Sequence, residues 1–249
     1  MVFDLSVKYS LFGNFQTIQS DTQTVMKIIT AVQLENFLPS TFSETTPAGS
    51  QLRIRFLKVD NSIQVLFGMN RIDIIYNPIT YENGISLQIE PDLDFVNRTF
   101  SQIISTFNKL GNRLAFNTSS LFYDLPRNEI DNIDRLFKVG LPYYSQRQIF
   151  EWGVHLVTKE KADISGQEET LNVITNVSLS DAKIELHDNQ GKLLEDKSVS
   201  AYKVDFDINT NSEELDLRFT GEHLSAFIGK AMMIKGIIQS QLLSGDMHE

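Results

Sequence analysis

The chain has 249 residues, 41% of them hydrophobic, enough to bury a sizeable core in one large domain or two fused units and too many for a disordered or collagen-like polypeptide. It contains no cysteine, which excludes disulfides and thiolate metal or redox sites. Of its net charge of −10 little lies early: through Arg113, 9 Lys and Arg stand against 10 Asp and Glu, and 13 against 22 follow, a balance that repels phosphate backbones and argues against nucleic acid.

The opening "VFDLSVKYSLF" places Phe3, Leu5, Val7 and Tyr9 on one face at period two and predicts a strand. Asp4 interrupts it where a secretory signal needs an unbroken apolar run, and no segment reaches about 18 consecutive apolar residues, so a soluble cytoplasmic protein that does not cross a membrane is expected. Ser20 and Asp21 offer N-cap oxygens to a helix through Val25, Ile28, Ile29 and Val32. The Ser/Thr/Pro/Gly-rich stretch from Pro39 to Ser50 predicts a loop. Four alternating runs follow, at Leu52–Phe56, Ile63–Phe67, Ile72–Tyr76 and Ile85–Ile89, separated by turn residues as in an antiparallel meander. Pro91 and Asp92 then open a helix striped by Leu93, Val96, Phe100, Ile103, Phe107 and Leu110, with Gly111 as its expected C-cap.

The order then recurs. "RLAFNTSSLFYD" predicts a strand, Asn128 caps a short helix through Ile130, Ile133, Leu136 and Phe137, and Gly140 with Pro142 ends it. Alternation at Phe150–Leu156 and Leu171–Val177, a hairpin around "HDNQGK" and a run at Tyr202–Ile208 predict further strands. The last helix carries Leu224, Phe227, Ile228, Ala231, Ile234, Ile238 and Leu242, and its polar lead-in allows a start as early as Ser212. The expected fold is therefore α+β, two tandem repeats of strand, helix, antiparallel meander and long helix, at 1–112 and 113–249 or merged into one continuous domain. The long helices are expected to cover one side of the sheets, because a sheet with one apolar face needs a cover.

No phosphate loop, dinucleotide fingerprint, zincin, nucleophile elbow or EF-hand pattern occurs, and no cofactor is expected. On the polar strand faces Arg53, Arg55 and Arg71 form a candidate basic stripe for an anion or an acidic partner, or solvated arginines paired with Asp73 and Glu90. Glu185 with His187, Asp205 with Asp207, and Glu151 with His155 are same-face pairs and weak candidates for metal ligands. His223 is read as a packing or capping residue, and Trp152 beside Tyr143, Tyr144 and Phe150 as core or as an exposed aromatic patch.

The order of elements resembles the TATA-binding-protein-like fold and, more loosely, the helix-grip fold of small-ligand carriers. The "ITYENG" segment and the ending "VDFDINTNSEELDLRFTGEHLSAFIGKAM", with His223 and Phe227 in an "H…F" pattern, resemble a sporadically distributed family of uncharacterised bacterial proteins. That resemblance implies an accessory bacterial protein of a defence or other mobile locus, without catalytic residues to carry over. The leading expectation is a noncatalytic interaction or regulatory subunit, such as an immunity accessory, that binds a basic protein partner or itself. A small-ligand carrier with an apolar pocket and a metal-dependent hydrolase are the alternatives.

Overall fold

Eleven strands and four helices succeed one another among the residues described by the computed structural model. These are 2–47, 49–81, 84–86, 89–137, 147, 149, 151–187 and 193–244, of which 79–81, 84–86, 136–137, 180–187 and 193–200 are described by backbone alone. The first strand, β1 (Val2–Phe12), leads into α1 (Thr22–Val32), then β2 (Phe37–Thr46), β3 (Gly49–Lys58), β4 (Ile63–Phe67) and β5 (Arg71–Tyr76). A short hairpin, β6 (Ile79–Tyr81) and β7 (Gly84–Ser86), precedes α2 (Leu93–Phe107). Thereafter come β8 (Arg113–Phe122), α3 (Arg127–Phe137), β9 (Trp152–Ile164), β10 (Gln167–His187), β11 (Leu193–Thr210) and α4 (Gly221–Ser244). Among the described residues nine strands form one antiparallel sheet in the order β2-β3-β4-β5-β1-β8-β11-β10-β9, and β6 pairs with β7 in a separate hairpin. The architecture is thus α+β with a large antiparallel sheet.

Cross-strand register carries one face through the sheet: Val65 opposes Ile74, Ile74 opposes Tyr9, Tyr9 opposes Phe116, Phe116 opposes Ile208 and Ile208 opposes Val173. All six are buried, and they join Ile28 of α1, Phe100 of α2 and Phe227 of α4 in one hydrophobic cluster. A second cluster gathers Phe122, Val177, Tyr202 and Phe206 with Ile133 of α3 and Leu242 near the end of α4. There the Tyr202 hydroxyl donates to Asp134 Oδ1 at 2.7 Å, and Asn132 Nδ2 donates to the carbonyls of Leu243 and Ser244 at 2.8 and 2.9 Å. The latter bonds satisfy C-terminal carbonyls of α4 that have no partner within the helix.

Several boundaries differ from the sequence expectation. The register of β1 against β8 shifts between Asp4 and Ser6, leaving Leu5 as the extra residue of a β-bulge. Alternation flips there, so Asp4, opposite Ser120, takes the side that Val7 and Tyr9 occupy beyond the bulge, and Phe3 does not share it. Asp4 accepts from Ser120 Oγ at 2.6 Å and from Lys235 Nζ of α4 at 2.8 Å. The expected loop from Pro39 to Ser50 is largely β2, whose Pro39 is tolerated because β2 is an edge strand. The expected fourth meander strand at Ile85–Ile89 is not in the main sheet, since β7 pairs with β6 instead. Asn108, not Gly111, caps α2: its φ is 49° and its N–H donates to Ile104 and Ser105 carbonyls. Gly111 instead bridges to Phe219, and a Cβ there would lie 2.3 Å from Leu11 Cδ1. Likewise α4 begins at Gly221 rather than Ser212, because Arg218 holds the preceding residues in a strap. Gly140, Pro142 and residues 188–192 of the "HDNQGK" hairpin lie outside the described residues.

Candidate functional site

The sheet face opposite the buried residues is polar yet closely knit. On β3, β4, β5 and β1 the register aligns Arg55, Leu66, Asp73 and Ser10 in one row and Leu57, Gln64, Ile75 and Lys8 in the next. The second row continues through Asn117, Asp207, Ile174 and Val157 to the far edge. Asp73 is buried although charged; it accepts from Ser10 Oγ at 2.6 Å and pairs with Arg71 Nε at 2.9 Å. Farther along, Asn172 donates to Asn209, which donates to Asp207 at 2.9 Å, and His155 Nδ1 bonds Asn176 Oδ1 at 2.5 Å.

The candidate arginines take three environments. Arg53 is only 1% exposed: Nε donates to the Phe67 carbonyl, Nη2 to those of Phe15 and Gly68, and Nη1 to that of Gln16, with Glu44 at 3.8 Å. Burial lowers its pKa, and the Glu44 carboxylate acts in the opposite sense. Its donors are spent on the loop after β1, so it serves as a brace. Arg55 is half-buried and donates from Nε to Ser40 Oγ at 3.0 Å, while the Arg71 side chain remains 52% exposed beside Asp73. Register brings the three to neighbouring positions on one face.

Of the metal candidates, Asp205 pairs with Lys203 at 3.0 Å and Asp207 accepts from Asn209. The side chains of Glu185 and His187 lie outside the described residues. Glu151 is exposed, and His155 is engaged by Asn176. Among the described residues no group of three or more His, Asp and Glu is placed to hold a metal ion. His223 Nδ1 lies 2.8 Å from Thr220 Oγ1 at the start of α4, with its ring against Phe219. Trp152 packs against Tyr202, their centroids 6.0 Å apart, while Tyr143, Tyr144 and Phe150 lie outside the described residues.

Sequence reading did not find an open cleft of about 500 Å³ at one end of the sheet, bounded by the loop after β1, the turns at Asn70 and Asn112, and the strap from Ser212 to Leu217. Arg113 lines it, with its guanidinium over the Phe12 ring at 4.7 Å. Arg113 Nε is buried and has no hydrogen-bond partner among the described residues. Arg218 staples the strap. It forms a two-point pair with the buried Glu169 at 2.7 and 3.0 Å, donates to the Asn112 carbonyl at 2.7 Å and pairs with Glu214 at 3.2 Å. The bond from Arg218 to Glu169 raises the guanidinium pKa above its ordinary value, outweighing burial. Alternation alone carries no sign of this cleft, because its walls come from four loops distant in sequence.

Among the described residues no helix is long and apolar enough to cross a membrane. Compared with protein-family models, curated proteins and solved structures, the chain matches none.

Proposed function

We propose that this chain is a noncatalytic interaction subunit, built as a tandem repeat, that offers the polar face of its sheet to a protein partner. The sheet order supports the repeat: read outward from the β1–β8 pair, each half places its first strand centrally, its last strand of the main sheet beside it, and the remainder in reverse chain order. Each half also has a shorter helix after its first strand and a longer one at its end, which in this reading cover the opposite face.

The observation that carries the proposal is the mixture on the polar face. Leu57, Leu66, Ile75 and Ile174 lie half-buried among the interlocked Asp73, Ser10, Asn209 and Asp207, and partner surfaces commonly combine apolar area with oriented hydrogen-bonding groups. A carrier with its pocket between sheet and helices is less supported, because Phe56, Phe100, Phe116 and Phe227 fill that space at no more than 2% exposure. A hydrolase built on Asp205 and Asp207 is less supported because Lys203 and Asn209 already engage them. The setting in a bacterial defence locus belongs to this proposal through the sequence resemblance, and residence in the cytoplasm is carried into it from the hydropathy of the sequence.

Affinity capture from the source cells followed by native mass spectrometry tests it. A stoichiometric protein should accompany the wild type and be lost with Lys8→Glu at the centre of the face, while the melting temperature stays unchanged. A retained small molecule or metal ion, or a partner indifferent to Lys8→Glu, would overturn it.

A further inference from the structure

From the cleft around Arg113 we infer a receptor for a peptide's C-terminal carboxylate with apolar residues before it. The inference deepens the interaction reading by adding a second, chemically defined contact away from the polar sheet face.

The charge arrangement selects the anion. Arg71 is neutralised by Asp73 at 2.9 Å, whereas Glu214 at the cleft wall shares Arg218, at 3.2 Å, with the buried Glu169. Among the described residues Arg113 pairs with no carboxylate, and its Nε is buried without an acceptor. Nε itself is closed off beside the Phe12 ring, so an arriving carboxylate meets the outer Nη groups, for which no acceptor stands among the described residues, and balances one positive charge. One unpaired guanidinium suits a monoanion such as a carboxylate, whereas a phosphate dianion would add charge beside Glu214, which only shares Arg218 with Glu169, in a protein already at −10. The Phe12 ring beneath the guanidinium holds its plane, preparing the outer Nη groups for an acceptor.

The surrounding groups select the body of the ligand. Asn14, Gln16, Asn70 and Asn112 contribute side chains or backbone to the lining, and amides suit the donors and acceptors of peptide bonds. Leu215 and Leu217, 74% and 54% exposed on the strap, supply apolar contact beside the charge. The volume of about 500 Å³ lies within the roughly 300–1,000 Å³ of small-ligand sites and exceeds the needs of an inorganic ion.

The test is titration of the isotopically labelled full-length chain with the tripeptide N-acetyl-Gly-Leu-Leu, its C-terminal amide, and acetate, followed by NMR at Arg113 Nε–H and the methyls of Leu215 and Leu217. The free acid should shift all three signals saturably, and the amide should bind at least about tenfold more weakly. Arg113→Gln should weaken acid binding to the level of the amide. Leu215→Ser with Leu217→Ser, at exposed positions that cannot unfold the core, should weaken the tripeptide but not acetate. Equal binding of acid and amide, acetate binding as tightly as the tripeptide, or no shift at Arg113 up to the solubility limit would overturn the inference. Capture of a partner lost with Lys8→Glu but retained with Arg113→Gln would leave the sheet-face reading standing whatever the titration shows.

Discussion

At Tyr9 the sequence specifies an aromatic core residue, and the fold decides what becomes of its hydroxyl. The ring lies 5.3 Å from Phe116 and 6.3 Å from Tyr76 between centroids, and its hydroxyl is buried without a partner among the described residues. Burial, reinforced by the Asp4 charge, raises its pKa well above the ordinary 10.0. Tyr76 is raised by burial and then Asp92, and Tyr202 by burial and then its bond to Asp134. A phenol whose folded pKa is raised contributes stability fully present below its unfolded pKa of about 10 and lost as pH rises toward the folded value. Chemical denaturation should therefore find a steep loss of stability above about pH 10, and Tyr9→Phe should reduce that slope. At neutral pH the same substitution should be neutral or stabilising by up to about 1 kcal/mol, since it removes a buried hydroxyl lacking an acceptor; a loss above about 2 kcal/mol would reveal a hydrogen bond to ordered water. Arg218→Lys should behave in the opposite way. It cannot reproduce the two-point bond to buried Glu169, and a loss of about 3 kcal/mol is expected by denaturant titration.

α4 is an element decided by burial. Leu224, Phe227, Ile228, Ala231 and Ile234 are buried in the main cluster, while Met232, Met233 and Ile237 are exposed. At 1.5 Å rise per residue the helix spans roughly 36 Å, long enough to reach from the main cluster to Leu242 in the second. Phe227→Asp should cost several kcal/mol and give insoluble or partly unfolded protein, measured by the soluble yield and thermal melt. A folded variant with the wild-type melt would mean that the helix does not belong to the core. Its N-terminus is equally constrained, because a Cβ on Gly221 would lie 1.9 Å from Ser101 Oγ of α2. Gly221→Ala should therefore force the two helices apart at a cost of about 1–3 kcal/mol despite alanine's better helix propensity, and Gly221→Ala with Ser101→Gly should recover most of it.

At the scale of the molecule the β1–β8 pairing joins the two halves, and Phe100 from one half and Phe227 from the other belong to the same cluster. Separating residues 1–112 from 113–249 would expose the edge of a central strand and divide that core. Each fragment alone is expected to lack a cooperative thermal transition, and mixing the two should restore one; a cooperative melt of either alone would establish two independent units. Among the described residues the edge strands of the main sheet are β2 and β9. On β9 Leu156 and Val157 are about half exposed, and the neighbouring Lys159 and Lys161 place charge on this edge, as edge strands commonly do to resist pairing with other chains.

The sequence by itself determined α1, α2 and the strands β3 to β5, though not β2, because period-two runs such as Ile63–Phe67 and the stripe of α2 bury the same residues in almost any arrangement that gives them a core. It also marked Asp21 and Asp92 as helix caps, since capping is a bond to a backbone N–H three residues away. Arg53, Arg55 and Arg71 were legible as neighbours on a polar face, but alternation could not show that Arg53 braces a loop while Arg71 meets Asp73. The bulge at Leu5 was likewise unreadable, because a one-residue shift depends on pairing with β8 more than a hundred residues away. Only tertiary structure brought Phe12, Asn70, Arg113 and Leu215 to one cleft and left Arg113 unmatched by a carboxylate. Side chains from distant loops acquire a common environment only after the sheet has fixed where those loops end.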